Sequence, residues 1–380
     1  MNSKMRPFLD FYGEHDIIPT NLEIPNKHKF FQQRNFLLKA LGIPPILVHG
    51  KNILEFGSGT GQKAVHLLSL MPNSYLAIDN NPKSVLATRD AIRGSHFSGT
   101  AEVIDRDFLE HNFLDSYDLV LAELILSTQN EPERLLRKLL DLTSEHGILI
   151  ITCHDPISLL SETIRKAIVL NENLIDENLT NSSIRITKFF EQDLDHLKGM
   201  NRVRTDWAID QLIIPWIGPL LSVPAAIGHV GSTAVFHGSS PKFVEDFRWY
   251  KDPELSVESL NENAIQNYWE KCHNFLDTRL PKSTRNLNLN KLLYAVCDEL
   301  YYVVYADVWT NDSHAKVLEL CLKLRKEMGG LSDVTVNSVD AFIAYWQSNK
   351  VKHLQEFRPL WGRGSQYLSF IKSDSEITTN

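Results

Sequence analysis

The chain has 380 residues, room for one large domain or for a domain with a sizeable appendage, and its 43% hydrophobic and 23% charged residues are ordinary globular values. A net charge of −8 and the lack of any Lys/Arg run argue against a nucleic-acid partner, which would call for a basic stripe. Four scattered cysteines (Cys153, Cys272, Cys297, Cys321) form no CxxC pair, so reduced thiols in a cytoplasmic protein are expected rather than a disulfide framework or a zinc site.

Residues 1 to 45 read as an N-terminal cap. Met1 to Pro7 lacks the apolar core of a signal peptide. Phe8 to Tyr12 and Glu14-His15 are aromatic and polar, and His28 to Leu41 has apolar residues near helical spacing until Gly42 and Pro44-Pro45 stop it. Tyr12, His15 and Arg34 are candidates to reach a substrate; a purely structural lid is the competing reading.

Residues 46 to 156 alternate strand and helix patterns. Asn52–Phe56, Tyr75–Ile78, Ala101–Ile104, Tyr117–Leu121 and Gly147–Thr152 read as strands. Gln62–Leu70, Pro82–Arg93 and Glu131–Leu142 read as helices, with Leu135, Leu136, Leu139 and Leu140 on one face of the last. Strands recurring with helical connections predict an α/β fold, a Rossmann-like, doubly wound and mostly parallel sheet.

Residues 157 to 232 form an insertion on the substrate side, with helices expected at Leu159–Leu174, Phe189–Leu197 and Trp207–Ile214. Leu212 to Ile227 is apolar apart from Ser222, but it carries Pro215, Pro219 and Pro224 and is shorter than the roughly 20 residues a bilayer requires. It reads as a buried, irregular segment near a pocket, and no membrane span is expected. Residues 233 to 252 hold two short apolar or aromatic runs, Ala234–His237 and Phe247–Tyr250, that can supply the last strand pair. Residues 253 to 380 are mainly helical, at Asn263–Leu276, Asn290–Val304, Asp312–Met328 and Ser338–Trp346.

The stretch around which the rest is arranged is Ile53 to Gly61. A short apolar run ends in Glu55, and Gly57, Gly59 and Gly61 follow with Ser58 between the first two. Glycines there let the backbone approach a nucleotide-like ligand, and a following helix start offers free N–H groups. A dinucleotide needs G-x-G-x-x-G to cradle a pyrophosphate. Here the third glycine comes one residue early, and Glu55 would repel a phosphate but attract an ammonium group. S-adenosylmethionine carries an amino-acid end and no phosphate. Asp79, with Asn80 beside it at the end of strand 2, is placed to accept ribose hydroxyls. Asp107-Phe108 after strand 3 would take the adenine amino group and ring face; the alternative is that Asp105 and Asp107 only cap a turn.

In that order, E-x-G-x-G-x-G, Asp79 and Asp107-Phe108 resemble the class I S-adenosylmethionine-dependent methyltransferases over roughly residues 50 to 155. The resemblance implies that Glu55 and the three glycines line the methionine part of the cofactor, that Asp79 holds the ribose and that Asp107 and Phe108 meet the adenine. A narrower set looks like bacterial methyltransferases encoded with surface-polysaccharide genes: Phe11-Tyr12-x-Glu14-His15, the Phe30 to Arg34 helix, Leu41 to Pro45, Pro215 to Pro219, Gly238 to Pro241 with Phe247 to Tyr250, and Trp361 to Gly364. That resemblance implies a small-molecule or glycan acceptor, a sugar or sugar-derived hydroxyl.

A hydroxyl is a weak nucleophile and gains from a general base or a metal. The carboxyl ends of strands 4 and 5 offer Glu123, His154 and Asp155, as a base with its orienting partner or as hard oxygen ligands for a divalent ion such as magnesium. His237 is a further candidate on the acceptor side, and Trp207, Trp216, Trp249 and Trp361 can each stack on a sugar or belong to the core. The Asn/Asp-Pro-Pro-aromatic motif of base-amino methyltransferases is absent after strand 4, where Ala122-Glu123-Leu124-Ile125-Leu126 stands. The competing readings are a different small-metabolite acceptor, a non-catalytic cofactor-binding scaffold that docks a partner protein, and a nicotinamide oxidoreductase, which Glu55 and the glycine spacing disfavour.

Overall fold

The computed structural model describes residues 11, 15, 18, 24, 26–95, 101–197, 200, 202–214, 219–306 and 308–374. The chain divides into two compact units, one of residues 1–154, 217–268 and 365–380 and one of residues 155–216 and 269–364.

The first unit is built on one sheet. Its elements in chain order are α1 (Lys27–Ala40), β1 (Asn52–Phe56), α2 (Gln62–Leu68), β2 (Ser74–Asp79), α3 (Pro82–Arg93), β3 (Ala101–Asp105), β4 (Tyr117–Ala122), α4 (Pro132–Leu142), β5 (Thr143–Cys153), α5 (Val223–Val230), β6 (Ala234–Ser240), α6 (Val257–Lys271) and β7 (Gln366–Lys372). The strands lie in the order β3-β2-β1-β4-β5-β7-β6. The first five are parallel, and β7 is inserted antiparallel between β5 and β6. Chain reversal on both sides of β1 leaves a crevice at the carboxyl ends of β1 and β4, where ligands bind in such sheets.

Local chemistry explains the elements. Asn26 caps α1 through the Lys29 N–H at 2.9 Å, and Asn81 caps α3 through Lys83 N–H at 3.0 Å, with Pro82 in the first turn where a missing donor costs nothing. Ile53, Leu54 and Phe56 of β1 are fully buried, as are Val120, Leu121, Ala122, Leu149, Ile150 and Ile151 of the neighbouring strands, the pattern of a parallel sheet covered on both faces. Leu38, Leu41, Ile43 and Val48 of the cap pack with Ile53, Leu67, Tyr75, Ala77 and Leu121 in one core, so α1 is fixed to the sheet by its apolar face.

Two expectations about this unit are corrected. Phe247–Tyr250 is not a strand: Phe247 is 94% exposed, Trp249 65% and Tyr250 74%, and the antiparallel neighbour of β6 is β7 in the tail. The proline-rich segment is not irregular throughout. Ser222 caps α5 and Pro224 sits in its first turn, the one place where a helix tolerates proline. Among the described residues no helix is long and apolar enough to cross a membrane.

The second unit is helical, at Leu160–Asn171, Leu179–Phe189, Glu191–His196, Arg204–Ala208, Leu287–Val304, Asn311–Glu327 and Asp333–Ser348. The helix expected over Phe189–Leu197 is observed at Glu191–His196, preceded by the unexpected helix Leu179–Phe189, and Ile209–Ile213 forms a wider π turn where a regular helix was expected. At its centre Arg165 lies 3.6 Å over the Trp361 ring, pairs with Asp193 at 3.0 Å and donates to the Leu360 and Arg358 carbonyls. Trp207 meets Trp361 edge-to-face at 5.8 Å. Both tryptophans are core, not sugar platforms.

Candidate active site

The glycine turn between β1 and α2 has the backbone that only glycine adopts freely. Gly61 has φ +76°, and a Cβ there would lie 2.7 Å from the Thr88 Cα on α3. Gly57, at φ +71°, sits directly under Ile125. The Ser58 hydroxyl accepts from Thr88 Oγ1 at 2.9 Å, so its side chain braces the turn from behind. The Asp79 carboxylate closes the other side, accepting the Gly59 N–H at 3.4 Å and the Asn81 N–H at 2.9 Å. Burial pushes the Asp79 carboxyl up to about 6, against the pull of those N–H groups. Asn80, beside it, is half-buried.

Next to the turn stand four charges, three of them buried and the fourth, Lys63, half-buried. Arg34 of α1 reaches Glu123, just past β4, with Nη1 3.0 Å from Oε2 and Nη2 2.6 Å from Oε1. Lys63 of α2 lies between the two acids, 3.6 Å from Glu123 Oε2 and 3.3 Å from Glu55 Oε1. The Tyr75 hydroxyl donates to Glu55 Oε2. Two cations face two anions, as buried charges require. Burial raises the Glu55 carboxyl, with Lys63 and Tyr75 pulling it down. Burial also acts to raise Glu123, but Arg34 and Lys63 outweigh it and hold that carboxyl at about 2.

Glu123, a candidate general base, has both carboxylate oxygens engaged by the Arg34 guanidinium, which leaves it poorly placed to take a proton. Arg34, expected to reach a substrate, is instead committed to Glu123. Immediately after Glu123, Leu124 is in the left-handed region at φ +64°, held by its N–H donating to Thr152 Oγ1 at 2.5 Å. A non-glycine residue there stores strain, a feature that collects at functional loops.

His154 follows β5. Its Nδ1 is 2.8 Å from the Ser127 hydroxyl and its Nε2 2.9 Å from that of Ser365, and burial holds it down at about 4, so it is neutral. Asp155 opens the second unit and accepts the Ile157 and Ser158 N–H groups at 2.8 and 3.4 Å. Asp107 accepts the Leu109 N–H at 2.8 Å, the turn-capping role weighed against an adenine contact. Phe108 is buried, edge-on to Phe56 at 5.4 Å, which makes it a wall of the core. His15 is exposed and packs on the Phe11 ring at 4.5 Å. His237 stands mid-strand in β6, its Nε2 3.2 Å from the Gly42 carbonyl, and lines a cavity of about 310 Å³ that no residue of the glycine turn lines. Tyr12 and Trp216 lie outside the described residues. Among the described residues no three His, Cys, Asp or Glu side chains are arranged to share a metal ion.

Residues 47–204 match the family model described as a methyltransferase domain. Residues 47–204 thus form a methyltransferase domain. Solved structures with similarity to it include the N-methyltransferase NodS from Bradyrhizobium japonicum in complex with S-adenosyl-L-homocysteine (15% identity, 34% of this chain and 63% of that one, TM-score 0.29). The CcbJ methyltransferase from Streptomyces caelestis is similar at 17% identity (35% and 54%, TM-score 0.29), and magnesium protoporphyrin IX methyltransferase from Synechocystis with bound S-adenosylmethionine at 18% (35% and 61%, TM-score 0.28). The aligned part of this chain spans less than two thirds of each of them. No curated protein matches the chain.

The methyltransferase domain holds two residues that the sequence did not single out, Lys63 and Tyr75. Lys63 carried a readable signal. It is a lysine two residues past the third glycine, followed by the wholly buried run Ala64 to Leu68, where a cation needs an acid nearby. Tyr75 reads as an ordinary strand aromatic. Its register, opposite Ile53, places it diagonal to Glu55 on the same face.

Proposed function

We propose that the protein transfers the methyl group of S-adenosylmethionine to a small polar acceptor, at an oxygen of a sugar or nucleotide-sugar. The observation that carries the cofactor reading is the Gly57–Gly61 turn, closed by Asp79 at one end and by Glu55 at the other. Glycine at positions 57 and 61 keeps the surface free of side chains, and two carboxylates suit a ligand with hydroxyls and an ammonium group. When bound there, the cofactor supplies an electrophilic sulfonium methyl. Asp79 would hold the ribose and Glu55 the amino-acid end.

What remains for the chain is to orient the acceptor, exclude water and receive a proton; positioning alone supplies much of the rate in such displacements. With Glu123 committed to Arg34, we assign the proton to His154. It is neutral, and hydroxyls touch both ring nitrogens, so a proton arriving at one nitrogen can leave from the other. The sugar acceptor rests on the sequence resemblance at Leu41 to Pro45, Gly238 to Pro241 and Trp361 to Gly364. The test is mass spectrometry of products from a panel of sugar nucleotides and glycans with S-adenosylmethionine. A mass gain of one methyl group on a sugar is the expected result. Methylation of only non-sugar acceptors would remove the acceptor assignment, and absence of S-adenosylhomocysteine binding by calorimetry would remove the cofactor assignment.

A further inference from the structure

The cavity of about 310 Å³ lies at the β6 edge of the sheet, and His237, Ser239, Lys242, Asp246 and Asn263 supply its polar wall. Ligand pockets run from roughly 300 to 1,000 Å³, so this one suits a single small ring. Three of its groups are uncommitted. Ser239 is 2% exposed, yet its hydroxyl makes no hydrogen bond among the described residues. Lys242 forms neither an ion pair nor a hydrogen bond among them. The His237 Nε2 lies 3.2 Å from the Gly42 carbonyl, which can only accept, so Nε2 donates there and Nδ1 is left over. A buried hydroxyl without a partner costs stability until something satisfies it.

The loop that follows is fastened from behind. Arg248 grips Asp246 through Nε at 3.0 Å and Nη2 at 2.6 Å, and Asn263 of α6 donates to the same carboxylate at 3.2 Å. The Glu245 N–H donates to Asn267 of α6 at 3.1 Å. These bonds hold the backbone while Phe247, Trp249 and Tyr250 stay exposed, and apolar surface displayed on a fixed backbone marks a binding face. Trp249 and Tyr250 meet at 75°, so they form no parallel slot for a flat base; each offers one face to the C–H side of a sugar ring. Lys251 lies over both, 5.1 and 5.4 Å from their centroids. With Asp246 committed to Arg248, Lys242 and Lys251 are cations without an acid partner among the described residues, and a negative ligand complements them.

We propose that this cavity and the Phe247–Tyr250 loop bind an acidic sugar unit of a glycan. The ring enters the cavity with its hydroxyls on Ser239 and His237, its carboxylate or phosphate pairs with Lys242, and the next unit of the glycan lies on Trp249 or Tyr250. No residue of the glycine turn lines the cavity, so the site is separate from the cofactor seat. It needs neither cofactor nor methyl transfer, and a protein that binds glycans without methylating them leaves the inference standing. On the methyl-transfer reading above, it would hold a glycan acceptor by a unit other than the one that reacts, a tether that raises the local acceptor concentration.

The experiment is a glycan array probed with the full chain, carrying glycans that bear uronate, sialic acid or phosphorylated sugars beside their neutral counterparts. Retention on acidic glycans about tenfold or more above the neutral ones is expected, the scale of one charge-assisted pair. Uronate and sialic acid arms against phosphorylated arms tell which anion Lys242 takes. Lys242→Gln is expected to remove the acidic preference, and Trp249→Ala to weaken retention of all bound glycans by about fivefold, the scale of one aromatic contact. Both side chains are exposed, so neither substitution is expected to move the urea midpoint. Retention of no glycan by the unsubstituted protein overturns the proposal without any variant. So does equal retention of acidic and neutral glycans, and so does retention that neither substitution changes, which would place the contact elsewhere on the protein.

Discussion

Arg34 holds Glu123 through both carboxylate oxygens, at 3.0 and 2.6 Å, joining the cap helix to the residue that follows the fourth strand. Both side chains are buried, so neither can lose its partner cheaply. Arg34→Met is expected to destabilise the protein by about 3–5 kcal/mol, because it leaves Glu123 buried with Lys63 as its remaining cation. The double substitution Arg34→Met with Glu123→Met is expected to recover a large part of that loss. Urea unfolding of the single and double variants checks this, and a double variant no better than the singles would count against a coupled pair.

On the ribose role proposed above, Asp79 is expected to make cofactor affinity depend on pH. Burial raises its carboxyl from 3.8 to about 6. A ribose hydroxyl needs the ionised form as acceptor. Affinity for S-adenosylhomocysteine is therefore expected to be full above pH 7 and to fall as pH drops through 6, about tenfold per unit below it. Calorimetry across pH 5 to 8 is the measurement, and Asp79→Asn is expected to bind weakly with a flat profile.

Acid acts on the folded protein through its buried histidines. Burial first of all holds His66, His154 and His273 down at about 4, against an ordinary 6.5. Between those values the unfolded chain takes up protons that the folded chain refuses, so their contribution to stability is lost as pH falls through that window. Asp79 acts in the opposite sense: its raised pKa favours the folded state below 3.8, and that contribution is lost as pH rises through about 6. Burial raises Glu55, Glu162 and Asp298 in the same sense as Asp79, so the histidines' share of any drop in urea midpoint from pH 7 to pH 4.5 is read by substitution. His154→Gln is expected to reduce the drop.

The turn should not accept even one methyl group at its last glycine. Gly61→Ala would combine a φ of +76° with a Cβ 2.7 Å from the Thr88 backbone. The backbone strain alone is about 1–3 kcal/mol. A lowered thermal midpoint together with weakened S-adenosylhomocysteine binding is the expected result; unchanged values for both would mean that the turn relaxes freely.

Much of this was legible in the sequence because periodicity and punctuation agree in the core. Glu55 to Gly61, the proline at the start of α3 and the four leucines of α4 each speak for one local structure, and the sheet follows from their alternation. What escaped was non-local. Nothing near Gln366–Lys372 announces that it fills the place between β5 and β6, and the aromatic run Phe247–Tyr250 had the right composition for that place but no strand to pair with. Pro224 looked like a breaker because a proline's effect depends on whether it falls in a helix's first turn, which Ser222 decides. Glu123 looked like a base because its spacing put it beside the cofactor. That Arg34 had already claimed it depends on α1 folding over the sheet from 89 residues away.

The insertion of β7 also bears on how the chain is made. Its neighbours β5 and β6 are synthesised long before it; β5 must wait with one side of its backbone unpaired and β6, at the edge of the sheet, with both. On the ribosome such strands are exposed edges, open to pairing with other chains. Closing the sheet then takes a contact between distant parts of the sequence, which slows folding. A nascent chain of this design gains from a chaperone that shields β5 and β6 until Gln366–Lys372 emerges.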